Sequence, residues 1–333
     1  MRIAIIGAGL QARRRAPVIK DWPGAELVII TAKNRQEAES LANKMGCEAG
    51  EGWENVVTRP DIDTVLICTP PDIHAAIGIA ALQSGKHVLC EKPLTKTIAE
   101  AEQLIATAQS TGLTLKCGFN HRHHPAIWKA KELFDQGRFG EPIFGRCVYG
   151  ICGRPGYEKE WRADPRIVSG GQVMEQGIHA VDLFRWFLGD FQNVTGFTSA
   201  KYFDIQPLED NGFALLRTHT GVIASIHSSL TQWKNLFTFE IFGSDGYFRV
   251  EGLGGGYGNE KLFIAKRDFN APFTEEAIEY RGDDRSWLEE WREFVAAIQE
   301  KREPLGNGVD GLETLKIVHA MYQAAHNGQT VTM

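Results

Sequence analysis

The 333-residue sequence predicts an α/β protein in two parts: an N-terminal Rossmann dinucleotide-binding domain over residues 1–120, and a C-terminal α+β domain over residues 121–333 with a large, mostly antiparallel sheet. Three observations predict it. The chain opens on an apolar run, Arg2-Ile3-Ala4-Ile5-Ile6, that feeds directly into the turn Gly7-Ala8-Gly9-Leu10-Gln11-Ala12. Apolar strands then alternate with helical stretches as far as residue 119, the pattern of a parallel sheet covered on both faces. Beyond residue 193 the period changes to short alternating runs separated by glycine turns, as in an antiparallel meander.

Composition narrows the function classes. A net charge of −6, from 36 basic and 42 acidic residues, provides no general attraction for nucleic acid or an anionic membrane, so a small molecule is the expected partner. The six cysteines, at 47, 68, 90, 117, 147 and 152, have neither C-x-x-C spacing nor the density of a disulfide scaffold, and read as reduced thiols. With the first strand starting at residue 2 and no apolar run near the ~20 residues of a membrane span, the expectation is a cytoplasmic protein.

Within the first domain, Gly7-x-Gly9-x-x-Ala12 lets the backbone pass close to a pyrophosphate, whose charge then lies at the N-terminus of the helix over residues 11–20. Leu10 and Gln11 supply further backbone N–H groups in that turn. A second strand over residues 26–31 leads into Thr31-Ala32-Lys33-Asn34-Arg35, where dinucleotide folds usually carry an acid that binds the adenine ribose. No carboxylate stands there. Lys33 and Arg35 instead offer charge to a 2′-phosphate and Thr31 a hydrogen bond, so the site leans towards NADP, with NAD as the alternative. A helix over residues 35–45 ends at Gly46, and a strand over residues 62–68 ends at Thr69-Pro70-Pro71-Asp72. Asp72 is the expected cap of the next helix, and His74 in its first turn is either a cofactor contact or a helix-surface histidine. A further strand ends at Glu91-Lys92-Pro93. A lysine at that edge of an open α/β sheet is placed to hold a substrate oxygen and polarise a carbonyl, the alternative being an ordinary charged strand end. A helix over residues 98–111 and a strand over residues 114–119 complete the domain.

The second domain opens on His121-Arg122-His123-His124, a run that invites a zinc reading but lacks the four closed ligands of a structural site, so no metal is expected. Arg122 and His124 read as ligands for substrate hydroxyls or an anionic group. After a helix over residues 125–136 and a strand over residues 142–151, the irregular stretch 152–171 carries Arg154, Tyr157, Trp161 and Arg162, residues suited to sugars but equally to plain loop packing. A helix is expected over residues 173–187, with Glu175, Gln176 and His179 on it. Glu175 and His179 are i and i+4 and share a face, where a carboxylate beside an imidazole forms either an acid/base unit or a surface ion pair continued by Asp182. Alternating runs at 194–200, 213–218, 222–228, 237–242 and 247–250 build the second sheet, whose extended face predicts a homodimer or homotetramer. Helices at 287–300 and 311–327, able to pack back on the first domain, close the chain.

Taken together, Gly7-x-Gly9-x-x-Ala12, Cys68-Thr69-Pro70-Pro71, Glu91-Lys92-Pro93, Gly118-Phe119-Asn120-x-Arg122, Trp161-Arg162 and Gly177-Ile178-His179 resemble, in order and spacing, the glucose-fructose oxidoreductase, inositol dehydrogenase and rhizopine catabolism (Gfo/Idh/MocA) family over nearly the whole chain. The resemblance implies a nicotinamide-dependent dehydrogenase or reductase of sugars, sugar derivatives or cyclitols. It implies Lys92 and His179 as catalytic residues that also touch the substrate, with Glu175 standing where the family usually has aspartate. It also extends the cofactor contacts to Thr69, Pro70, His74, Glu91, Lys92, Asn120, Trp161 and Arg162, and the substrate contacts to Arg122, His124, Arg154, Tyr157, Arg162 and Gln176. Two other activities fit the same motifs: a glycoside hydrolase or lyase that oxidises its substrate only transiently, and a catalytically silent nicotinamide-binding regulator.

Overall fold

In the computed structural model, which describes residues 1–270 and 274–333, the chain divides into two compact units. The first comprises Met1–Phe119, Arg166–Val168 and Trp287–Glu313; the second comprises Asn120–Pro165, Ser169–Ser286 and Thr314–Met333.

The first unit runs β1 (Arg2–Ile6), α1 (Leu10–Lys20), β2 (Glu26–Ala32), α2 (Arg35–Met45), β3 (Glu48–Glu51), α3 (Glu54–Val57), β4 (Thr64–Ile67), α4 (His74–Gln83), β5 (His87–Cys90), α5 (Ile98–Thr111) and β6 (Leu115–Cys117). All six strands are parallel, in the order β3-β2-β1-β4-β5-β6. The order reverses between β1 and β4, the place where such sheets bind ligands beyond their carboxyl ends. The strands are apolar because helices cover both faces: Ile3, Ile5, Leu66 and Leu89 lie in one core with Ala12, Ala16 and Ile19 of α1. One local expectation fails. Asp72 caps nothing, because Pro71–Ile73 forms a single 3-10 turn, Asp72 is exposed, and α4 starts after Ile73 without a side-chain cap.

The second unit runs α6 (Pro125–Asp135), β7 (Pro142–Cys152), α7 (Ile178–Leu188), β8 (Phe191–Ser199), β9 (Asn211–Thr218), β10 (Ile223–Ser229), β11 (Thr231–Gly243), β12 (Gly246–Glu251), β13 (Glu260–Lys266) and β14 (Glu276–Tyr280), ending with β15 (Val331–Thr332). Two helices, α8 (Ser286–Glu300) and α9 (Gly308–Asn327), precede β15, and α8 supplies Trp291, Phe294 and Val295 to the core of the first unit. The nine strands lie in the order β14-β13-β12-β11-β7-β10-β9-β8-β15. The sheet is therefore not a simple meander: β7 inserts between β11 and β10 and runs parallel to β10, while its other neighbour β11 is antiparallel. One face packs through Phe184 and Phe187 of α7 onto Phe239 and Phe248. The other face exposes Phe197, Phe213, Leu215 and Ile223.

The helix expected over residues 173–187 is also interrupted. Val173–Gly177 forms a π-helical turn, and the α-helix begins only at Ile178. A π turn widens the helix by about one residue per turn, so the regular i, i+4 face assumed for Glu175 and His179 does not hold across it.

Candidate active site

In the first unit the glycine turn has the backbone its sequence requires. Gly7 has φ +108°, and a Cβ there would stand 2.5 Å from the Cys68 carbonyl oxygen, so only glycine lets β1 and β4 end side by side. Its N–H donates to the Thr31 carbonyl at 2.7 Å. A Cβ on Gly9 would meet nothing within 4 Å, α1 starts without a side-chain cap, and its first turn holds no acid. Uncapped N–H groups at an open helix N-terminus are what a pyrophosphate needs, so these residues fit a dinucleotide. Leu10 is exposed there, Gln11 half-buried and Ala12 buried in the core.

Around residues 31–35 the placements are uneven. The Thr31 side chain is buried, with its methyl facing Gly50, rather than presented to a ligand. The Asn34 side chain accepts from Gln36 N at 2.9 Å as the cap of α2, and Arg35 Nε donates to Glu39 at 2.9 Å. Lys33 is exposed, which leaves it as the cation of this segment without a capping or pairing role within α2.

Thr69 and Pro70 are half-buried at the end of β4. His74 is neither on the helix surface nor at an open edge. It is fully buried, with Nδ1 3.0 Å from the Pro93 carbonyl oxygen and Nε2 2.8 Å from that of Thr69, so it ties the loop after β4 to the loop after β5. Burial pushes its pKa below the ordinary histidine value, against the pull of the two carbonyls. Lys92, half-buried, follows β5. Glu91, expected among the cofactor contacts, is instead drawn inward and accepts from Arg15 Nε at 2.7 Å.

In the second unit His179 lies in the first turn of α7, buried, with its ring stacked on His121 at 3.7 Å. His121 is held from both nitrogens: Nδ1 is 3.2 Å from Asn120 Oδ1 and Nε2 is 2.8 Å from the Tyr149 hydroxyl. Asn120 Oδ1 can only accept, so Nδ1 carries the hydrogen of that contact. The Asn120 amide is fixed in turn by donating to Ser286 Oγ at 2.9 Å. Burial pushes the Tyr149 hydroxyl well above its ordinary pKa, so it keeps its proton.

Glu209 anchors the π turn. Its Oε1 accepts from Val173 N at 2.9 Å and from the Tyr322 hydroxyl at 2.8 Å, while Oε2 accepts from Gly171 N at 2.9 Å. Gly170 and Gly171 are required here, since a Cβ on either would stand 2.1–2.2 Å from the Tyr322 hydroxyl or the Glu209 carbonyl oxygen. Glu175, within the turn, accepts from Arg162 Nε at 3.1 Å, and the Arg162 guanidinium lies over Trp161 at 4.3 Å from the ring centre. Gln176 is half-buried beside it.

Three residues expected to bind substrate are held by protein carboxylates. Arg122 donates from Nε and Nη2 to Asp182 at 2.8 and 2.6 Å, both side chains buried, so those donors are not presented to a sugar, and Asp182 is not a surface residue. His124 Nδ1 lies 3.1 Å from Glu260 Oε2 in the interior. Arg154 is exposed and bidentate to Glu160. Tyr157 is buried against Phe203. Sequence reasoning did not single out Arg15, Tyr149 or Glu209, and gave His121 no role of its own. Only His121 carried a signal, through its place in the histidine run.

Residues 1–119 match the oxidoreductase family with an NAD-binding Rossmann fold (GFO_IDH_MocA), and residues 127–249 match the GFO/IDH/MocA C-terminal domain. The chain is 24% identical to levoglucosan dehydrogenase of Pseudarthrobacter phenanthrenivorans, over 98% of this chain and 96% of that protein. It is 31% identical to the dTDP-3,4-didehydro-2,6-dideoxy-alpha-D-glucose 3-reductase of Actinomadura kijaniata, over 68% of this chain and 67% of that one. A solved levoglucosan dehydrogenase in complex with NADH and levoglucosan superposes with a TM-score of 0.90 at 23% identity, covering 100% of this chain and 99% of that one. Among the described residues no helix is long and apolar enough to cross a membrane.

Proposed function

The chain belongs to the GFO/IDH/MocA oxidoreductase family and is an NAD(P)-dependent dehydrogenase or reductase of CH–OH groups, and we propose that it interconverts a secondary alcohol and a ketone on a sugar, sugar derivative or cyclitol. The observation that carries this reading is the open glycine turn at the N-terminus of α1, in a chain that keeps a lysine at the end of β5 and a buried histidine at the start of α7. Relatives named for sugar substrates support the substrate class.

When bound, the nicotinamide supplies or receives the hydride. Lys92 holds the substrate oxygen through Nζ and stabilises the charge that develops on it. The His179 imidazole takes the hydroxyl proton in oxidation and returns it in reduction, its ring plane fixed by the stack on His121. Glu175, beside Arg162, orients the start of the helix that carries His179. Lys33 gives the adenosine end a preference for NADP over NAD. Through the sheet face bearing Phe197, Phe213, Leu215 and Ile223 the protein forms a homodimer or a homotetramer.

The test is a dehydrogenase screen of sugars and cyclitols with both cofactors, followed by Lys92→Ala and His179→Ala. Each variant is expected to bind NAD(P)H normally and to lose turnover by about 10²–10⁴-fold. Near-normal turnover in either removes that residue from the reaction.

A further inference from the structure

One buried cluster in the first unit has no part in the chemistry above. Arg15, on α1, is 3% exposed, and its Nε donates to Glu91 at 2.7 Å while its Nη1 lies 2.7 Å from Glu290 on α8. Its guanidinium also lies over the Trp287 ring, 4.7 Å from the centre. Glu290 is fully buried and faces a second cation, Lys116, at 3.6 Å; Lys116 in turn donates to the Leu305 carbonyl. The group holds two cations and two carboxylates, so its charges balance.

Stability alone is a weak reason to keep four charges in a core. The desolvation they suffer matches or exceeds their mutual attraction, and apolar residues of similar volume often serve as well or better. The sequence nevertheless reserves space for them. A Cβ on Gly118, just past β6, would stand 3.0 Å from Arg15 Nη2 and 3.1 Å from both the backbone and the carboxylate of Glu91, so a side chain there would press on the cluster. What the cluster touches is informative. Glu91 immediately precedes Lys92, and on the far side of that short turn the Pro93 carbonyl is held by His74. The backbone carrying Lys92 is thus tied on one side to α1 and α8 and on the other to α4.

We propose that Arg15 is a positioning residue for Lys92: by clamping the Glu91 carboxylate together with Glu290, it fixes the backbone from which the Lys92 amine reaches the substrate oxygen. The inference rests on the role given to Lys92 above. Arginine is required because its planar fork meets two carboxylates at once from different nitrogens, which a single ammonium on a flexible stem does not reproduce.

The experiment uses the full-length enzyme and compares Arg15→Lys, which keeps the charge, with wild type and Lys92→Ala. Turnover is normalised to the number of sites that bind NAD(P)H, counted by fluorescence titration, so that an inactive fraction does not lower it. Arg15→Lys is expected to lose at least tenfold in kcat, with the sugar KM and the NAD(P)H Kd within threefold of wild type. Glu290→Gln, which leaves one arm of the clamp, should fall between Arg15→Lys and wild type. A kcat within threefold of wild type for Arg15→Lys, while Lys92→Ala is inactive, overturns the proposal alone. A parallel loss of kcat and cofactor affinity also overturns it, since Arg15 would then be shaping the dinucleotide turn. Failure of both Arg15→Lys and Glu290→Gln to fold makes the cluster a stability element and overturns it too. If Lys92→Ala turns over like wild type, the role of Lys92 falls first and this inference with it.

Discussion

The Arg122–Asp182 pair offers the sharpest stability prediction. Asp182 is 0% exposed and Arg122 2%, and their two bonds of 2.8 and 2.6 Å join the segment after β6 to α7, with the guanidinium against Trp186. Asp182→Asn removes the charge without opening a cavity, yet takes from a buried guanidinium that cannot lose its proton the carboxylate to which Nε and Nη2 donate. Losing one partner of such a pair costs about 3–5 kcal/mol. For a unit of this size that is a fall of roughly 6–20 °C in melting temperature, at about 2–4 °C per kcal/mol. Removing both charges together, as Arg122→Met with Asp182→Leu, should recover most of the loss, because the desolvation penalty goes with the pair. The assay is calorimetric unfolding of the three proteins without ligands at pH 7. A single variant that melts within 2 °C of wild type, or a double variant no better than the single, refutes the reasoning. The double variant also tests function: an unchanged sugar KM is expected, and a tenfold rise with melting intact would return Arg122 to the substrate ligands.

Gly7→Ala combines a positive-φ penalty with a methyl 2.5 Å from the Cys68 carbonyl, together about 2–6 kcal/mol, and should abolish NAD(P)H binding by fluorescence titration; binding within threefold of wild type would contradict the close approach of β1 and β4. At Asp210, burial alone would raise the carboxyl pKa, but N–H bonds from Lys201, Tyr202 and Phe203 and the Asn211 amide outweigh it and hold it below the usual range. A depressed carboxyl stabilises the fold above its unfolded pKa of about 3.9 and loses that contribution as pH falls through the folded value. Asp210→Asn should therefore cost about 2 kcal/mol at pH 7 and flatten the acid limb of stability below about pH 4, and an unaltered acid limb in pH-dependent melts would count against it. Lys33→Ala should weaken NADP binding by about tenfold and leave NAD unchanged, as expected for one lost charge-assisted contact; equal effects on both cofactors remove Lys33 from 2′-phosphate recognition.

Much of the first unit was legible because each local signal agreed with its neighbours. Buried parallel strands read as unbroken apolar runs, and Pro23-Gly24, Gly46 and Gly112 punctuate them where chain reversals occur. The second sheet was legible as strands but not as an order. Alternation within a strand reveals which face is buried and nothing about which strand lies beside it, so the insertion of β7 between β10 and β11, nearly eighty residues away in sequence for its parallel partner, left no local trace. Strand β14, Glu-Ala-Ile-Glu-Tyr, lies at the sheet edge and is largely exposed, so it lacks even the alternation.

The site was legible by position rather than by partner. Glu91, expected among the cofactor contacts, and Arg122 and His124, expected among the substrate contacts, are bound by groups 76, 60 and 136 residues away respectively. A buried charge demands a counter-ion, and the counter-ion is found by the tertiary fold, so sequence can mark the need and not the answer. Lys92 and His179 sit at the start or end of regular elements whose neighbouring charges, Glu91 on one side and Glu175 on the other, are engaged by Arg15 and Arg162 respectively. In both places an arginine holds the carboxylate that neighbours the residue proposed to act. Glutamate at position 175, one methylene longer than aspartate, accepts from Arg162 Nε from within the π turn. Shortening it by Glu175→Asp would withdraw the carboxylate from the guanidinium while keeping the charge, so its effect on turnover measures how far the Arg162 pairing, rather than the charge itself, sets the geometry at His179.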